Sequence, residues 1–191
     1  MEGFSEKVGI LALLVTTLSL GTSPHPIILI FSYLIHELGH LVFSSLAGAK
    51  LKKLKIGPLH LSISYDTSGL TYKREILVQL GGIAFNLFFA LCALALPIKG
   101  NGAEFFIVSN FSLAAMNLYP VSILDGGGIL KNVFSLFLSG GVAEKASRTV
   151  SLVCGILMWL VAVYLQIIFK SNLSLFIISV LLLVELCFSY S

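Results

Sequence analysis

Apolar residues gather into long runs at Val8–Leu20, Ile27–Ala47, Ile76–Leu96, Phe105–Leu118, Val150–Phe169 and Leu173–Phe188. A helix that is apolar on every side belongs in hydrocarbon or deep inside a large protein. Each crossing of a bilayer takes about 20 such residues, so the runs predict six transmembrane helices joined mostly by short loops. The fourth run is short and ends in Asn117-Leu118-Tyr119-Pro120, where proline removes a backbone donor and disfavours further helix. A helix broken at membrane depth persists only where protein groups or a watery cavity satisfy the freed backbone. The break therefore marks a candidate site.

One loop has a different period. Between Lys50 and Glu75, Leu59, Leu61, Ile63 and Tyr65 alternate with His60, Ser62 and Ser64, the repeat of a strand. Asp66-Thr67-Ser68-Gly69 signals a turn and Leu70-Thr71-Tyr72 a returning partner, so a small β-hairpin at the membrane surface is predicted. Gly140-Gly141 separates a short amphipathic stretch, Ile129–Leu138, from the fifth run. Lys7 ahead of the first run also suits a secretory signal, but the loop Gly21–Pro26 offers no clear small-x-small cleavage site. A first crossing is the better reading. The expected fold class is an all-α polytopic membrane protein of about six transmembrane helices, with the hairpin between the second and third. Residues 1–191 are expected to form a single membrane-embedded domain.

Composition agrees with this reading: 57% of the residues are hydrophobic and 11% charged, and a mean hydropathy of +1.00 excludes an ordinary soluble domain. Charge adds orientation. Lys7, Lys50, Lys52, Lys53, Lys55, Lys73, Arg74, Lys131, Lys145 and Arg148 fall on one side of the predicted topology, leaving Lys99 and Lys170 for the other. The positive-inside rule makes the first side cytoplasmic and puts both termini there. The lysines around Lys52 suit anionic lipid headgroups, and nothing in the chain suggests nucleic acid. Cys92, Cys154 and Cys187 lie in apolar runs without paired spacing, as membrane-buried thiols do. His25 and His60 are isolated and read as polar surface histidines.

Chemistry concentrates in the second run, at His36-Glu37-Leu38-Gly39-His40. Helical spacing of four places both imidazoles on one face, where they can bind zinc, with the glutamate between them positioned as a general base. A charged side chain at mid-membrane costs about 2.5–3.5 kcal/mol even on lenient insertion scales, so this cluster needs compensation, and a metal supplies it. A catalytic zinc takes three protein ligands and keeps a position for water. Asp125 is the best third candidate, because it directly follows the short fourth run and is flanked by Gly126, Gly127 and Gly128. In the assigned topology it reaches the same cytoplasmic half as the histidines.

His36-Glu37-Leu38-Gly39-His40, together with Asn117-Leu118-Tyr119-Pro120-Val121-Ser122-Ile123-Leu124-Asp125-Gly126-Gly127, resembles the paired signatures of the site-2 proteases. Gly82-Ile83-Ala84-Phe85-Asn86 is similar to a further motif of that family. The resemblance implies three core helices around a zinc ion held by His36, His40 and Asp125, with Glu37 as catalytic base and acid. It also implies hydrolysis of a peptide bond in or beside the membrane segment of a protein substrate. Asn86 and Asn117 are expected to hold the substrate backbone or the oxyanion, the alternative for each being a helix-packing hydrogen bond. The edge of the hairpin could pair with an unwound substrate.

Among subgroups the chain looks most like the stage IV sporulation protein FB type, which processes a sigma-factor precursor. That type carries a cytoplasmic nucleotide-sensing domain after its membrane part, whereas Ser191 closely follows the last run. No loop accommodates a PDZ module, which as a small domain needs about 80–100 residues. Two other classes compete with the protease: a binder that sequesters membrane partners uncut, and a divalent-metal transporter. A transporter would spread polar groups along a route or show internal repeats. Glu37 favours catalysis over both, and self-association stays open.

Overall fold

The computed structural model describes residues 25–56, 61–66, 69–97, 100–169 and 173–190. The predicted first crossing, Val8–Leu20, lies outside the described residues, as do Leu59 and His60 of the predicted strand. Among the described residues six helices and two strands follow in order: α1 (His25–Ala47), β1 (Lys50–Ile56), β2 (Leu61–Asp66), α2 (Tyr72–Ala95), α3 (Asn101–Asn117), α4 (Asp125–Phe137), α5 (Gly140–Phe169) and α6 (Leu173–Tyr190).

Among the described residues α1, α2 and α5 are long and apolar enough to cross a bilayer. The chain is an integral membrane protein, and its side chains are distributed accordingly. Outer faces carry Ile27, Phe88, Leu94, Phe137, Tyr164 and Ile167 exposed, while the buried set includes Ser32, Ser44, Asn86, Asn110, Ser151 and Ser179. Lipid is as apolar as leucine, so apolar surface gains little by turning inward, and helices associate through close backbone approach and interhelical hydrogen bonds. α2 is the central element, packing on α1, α3 and α4; α4 leans on α5 and α5 on α6.

α1 ends where its sequence dictates. Gly48 takes a positive φ of 77°, Ala49 N–H reaches back to the Ser44 carbonyl (3.0 Å) and Gly48 N–H to that of Ser45 (3.1 Å). This pair of bonds satisfies carbonyls that the helix end leaves open. Arg74, at the start of α2, donates to the Ala47 carbonyl at 3.4 Å.

The extended segment differs from expectation in its partner. β2 pairs antiparallel with the upstream lysine-rich strand β1, in a register running from Lys50 opposite Asp66 to Ile56 opposite Leu61. Leu70-Thr71-Tyr72 is no strand: Tyr72 opens α2, and the Thr71 carbonyl accepts from Arg74 and Glu75 N–H. The register shifts between Leu51 and Lys53. Such an irregularity breaks alternation along β1 and hides it from a period-two reading.

Two boundaries also move. α4 begins at Asp125, four residues before the predicted amphipathic stretch. α5 begins at Gly140, so Lys145 and Arg148 ride on its exposed first turns instead of in a loop. The expected break after Asn117 is present: α3 stops there, and seven residues separate it from α4.

Candidate metal centre

α1 and α2 run antiparallel and nearly touch. A Cβ at Gly39 would collide with the Gly81 carbonyl, and one at Gly81 would lie 2.6 Å from the Gly39 oxygen. At Gly82 an added Cβ would stand 2.5 Å from His36 Cε1 and 2.6 Å from His40 Nε2. These glycines therefore make the space in which the two imidazoles lie against α2.

Each imidazole is fixed by its Nδ1. His40 Nδ1 donates to the Val78 carbonyl at 2.9 Å. A main-chain carbonyl can only accept, which puts a proton on His40 Nδ1 and, in the neutral ring, leaves Nε2 a lone pair. His36 Nδ1 donates to Asn86 Oδ1 at 2.7 Å, and Asn86 Nδ2 donates onward to the Ser32 carbonyl (3.1 Å) and Asn110 Oδ1 (2.8 Å). His36 Nε2 is thus also open.

Asp125 arrives from the far end of the α3–α4 connection. Its Oδ2 lies 3.1 Å from His36 Nε2 and 3.3 Å from His40 Nε2, and the two Nε2 atoms are 3.1 Å apart. Oδ2 is buried and makes no hydrogen bond of its own.

Three lone-pair atoms facing one another, with their protons turned away, repel unless a cation stands among them. Ligand atoms about 2.0–2.1 Å from a tetrahedral zinc are about 3.3 Å apart, so the donor set and spacing fit this ion. The same trio is the cluster of metal-ligating side chains among the described residues. Glu37, half-buried beside His36, accepts a hydrogen bond from Tyr33 one turn earlier.

The loop carrying Asp125 is held from two sides. A Cβ at Gly126 would strike the Leu118 carbonyl and one at Gly127 the Val121 carbonyl, so the first turn of α4 folds tightly against the chain just before it. From α5, the Cys154 carbonyl accepts the Tyr119 hydroxyl at 3.0 Å and the Ser151 hydroxyl accepts the Ser122 N–H at 2.6 Å.

Comparison with known proteins gives this geometry a context. Residues 99–162 match the model of peptidase family M50. Over 129 residues the chain is 28% identical to stage IV sporulation protein FB of Bacillus subtilis (strain 168), covering 65% of this chain and 45% of that protein. The chain thus spans less than half the length of that curated relative. The site-2 protease from Methanocaldococcus jannaschii has the same fold, with a TM-score of 0.66, 19% identity, and coverage of 96% of this chain and 86% of that one.

The chain carries a segment that matches peptidase family M50 and has the fold of a site-2 protease.

The M50 segment holds Asn117 and Asp125, while the histidine pair lies upstream of it. His36, His40 and Asp125 are brought together as the sequence predicts. Asn86 is fully buried, and its amide bonds to Ser32, Asn110 and His36, the helix-packing hydrogen bonds of its alternative role. Asn117 is half-buried at the last turn of α3 and donates to the Leu113 carbonyl at 3.0 Å. His25 lies against Phe105 with ring centroids 4.2 Å apart, away from the cluster.

Val78, Ser32 and Asn110 escaped the sequence reading. Val78 acts through its carbonyl, which no side-chain pattern encodes. Asn110 left a trace: it is an amide in an apolar run, seven residues and two helical turns before Asn117.

Proposed function

We propose that the chain is a single-domain intramembrane zinc metalloprotease, residues 1–191, which hydrolyses a peptide bond in or near the membrane segment of a protein substrate. The observation that carries this reading is the convergence of His36 Nε2, His40 Nε2 and Asp125 Oδ2 within 3.1–3.3 Å beside the Glu37 carboxylate. Zinc bound there would polarise the scissile carbonyl and acidify water. His36, His40 and Asp125 would hold it. Glu37 takes the proton of the attacking water and delivers it to the departing amine nitrogen, general base first and general acid afterwards.

Asn86 keeps His36 in the tautomer that presents Nε2, and Asn117, at the broken end of α3, is the asparagine placed to meet the substrate backbone or the oxyanion. Both strands of the β1–β2 hairpin are edges, since the sheet has two strands, so an unwound substrate segment can add to one of them. The hairpin lies at the cytoplasmic surface. Six crossings, counting Val8–Leu20, place both termini and the metal centre toward the cytoplasmic face of a bacterial cytoplasmic membrane, as the lysine and arginine bias requires. A membrane-associated sigma-factor precursor is the favoured substrate, by likeness to the sporulation protein.

The test compares the full chain with Glu37→Gln at equal expression, on a panel of tagged, membrane-tethered substrates, with bound metal measured in both. The expected result is cleavage by the wild type and a loss of about 100- to 10,000-fold in the variant, with zinc retained. Equal cleavage by both forms would end the proposed role of Glu37. A stable uncut complex with wild type would point to the binder instead, and zinc flux into vesicles to the transporter.

A further inference from the structure

We propose that Asn110 is a positioning residue of the metal centre: acting through Asn86, it locks His36 in the tautomer that turns an open Nε2 to the metal. The inference rests on the metal reading above and adds to it a residue outside the ligand set and the family signatures.

The hydrogen-bond chain has one self-consistent assignment. Asn110 Nδ2 donates to the Phe106 carbonyl at 2.9 Å and to Ser32 Oγ at 2.9 Å. The carbonyl cannot donate, so the NH2 end of Asn110 must face it, and Oδ1 must face Asn86. Asn86 then meets two acceptors on one side, Asn110 Oδ1 at 2.8 Å and the Ser32 carbonyl at 3.1 Å. Its NH2 must point there, and its Oδ1 toward His36 Nδ1 at 2.7 Å. Flipping Asn86 would press its oxygen against two other oxygens in a site where both amides are fully buried, and the bonds it now makes would be lost. Each step forces the next, from a backbone carbonyl in α3 to a ring nitrogen in α1.

Removing Asn110 leaves the Ser32 carbonyl as the remaining acceptor for Asn86. The amide can then turn, and His36 is free to carry its proton on Nε2, the position that a metal needs. Partners of this kind, one shell behind a ligand, are worth about 10- to 100-fold in metal affinity.

The experiment titrates zinc into four purified full-length proteins: wild type, Asn86→Leu, Asn110→Leu and the double variant, with Asn110→Ala as a smaller replacement if leucine prevents folding. Asn110→Leu is expected to weaken zinc about 10-fold or more, and to cost nothing further once Asn86→Leu is present, because the two act along one path. In parallel, 15N NMR of the metal-free proteins should find the His36 proton on Nδ1 in wild type and shared between the nitrogens in Asn110→Leu. Additive losses, or an unchanged His36 tautomer, would reduce Asn110 to a packing residue and overturn the proposal. If wild type bound no zinc, the metal reading would fall, while the NMR comparison would still decide the role of Asn110.

Discussion

Gly82→Ala adds one methyl group at the place where His36 and His40 pass α2. Its carbon would stand 2.5 Å from His36 Cε1 and 2.6 Å from His40 Nε2, against 3.4 Å or more for ordinary contact, so each ring must retreat by about 0.8–0.9 Å. Zinc–ligand distances tolerate about 0.2 Å. The rings cannot rotate away at no cost, because His36 is tied to Asn86 and His40 to the Val78 carbonyl. Overpacking a tight site by one methyl costs about 1–3 kcal/mol, which is about 5- to 150-fold in affinity at 1.4 kcal/mol per tenfold. The assay is zinc competition against a chelator of known strength, on protein in detergent whose helicity is checked by circular dichroism. Gly140→Ala is the control, since nothing lies within 4 Å of its added carbon. If Gly82→Ala bound zinc within twofold of wild type while Gly140→Ala did the same, the packing argument for the centre would be wrong.

Gly127→Ala should also empty the site, by a different route. The added carbon meets the Val121 carbonyl, and since both are backbone, the first turn of α4 must shift and carry Asp125 with it; undiminished zinc in metal analysis would contradict this. Chelation of the wild-type protein should lower its thermal midpoint, since metal at 100 times its Kd contributes about 2.7 kcal/mol. Asp125→Asn should start from the lower value and be insensitive to chelator, and equal sensitivity would remove Asp125 from the ligand set. Tyr119→Phe deletes the bond to the Cys154 carbonyl and should cost about 0.5–1.5 kcal/mol in denaturant titrations, whereas no change would mean that α5 does not clamp this loop.

What the sequence made legible follows from how each feature is encoded. Long apolar runs survive translation into helices because bilayer thickness imposes a length, so α1, α2 and α5 could be read directly. The candidate ligands were legible because two sit at i and i+4 on one helix and the third follows a helix break among glycines. The partner of β2 was not, because the shift between Leu51 and Lys53 interrupts the alternation of β1, and its lysines also suit a lipid surface. Asn86 was legible as a polar group in the membrane, but its direction was not. An amide can face substrate or protein with the same sequence around it, and only the positions of Ser32, His36 and Asn110 decide between them.

The spacing along α2 explains why its glycines and its asparagine belong to one device. Val78, Gly82 and Asn86 follow each other at intervals of four, so they form one ridge. Against this ridge the antiparallel α1 sets His40 opposite Val78 and His36 opposite Asn86, and Gly82 touches both rings from between them. One helix thus supplies an acceptor for each Nδ1 and a gap for the two Nε2 atoms. Shifting either helix by one residue would rotate its ridge by about 100° and undo all three contacts together. The close approach at Gly39 and Gly81 is what holds that register, because a bulkier residue at either position would separate the helices before the acceptors came within hydrogen-bonding reach. The arrangement of His36, His40 and Asp125 therefore depends directly on residues that carry no chemistry of their own.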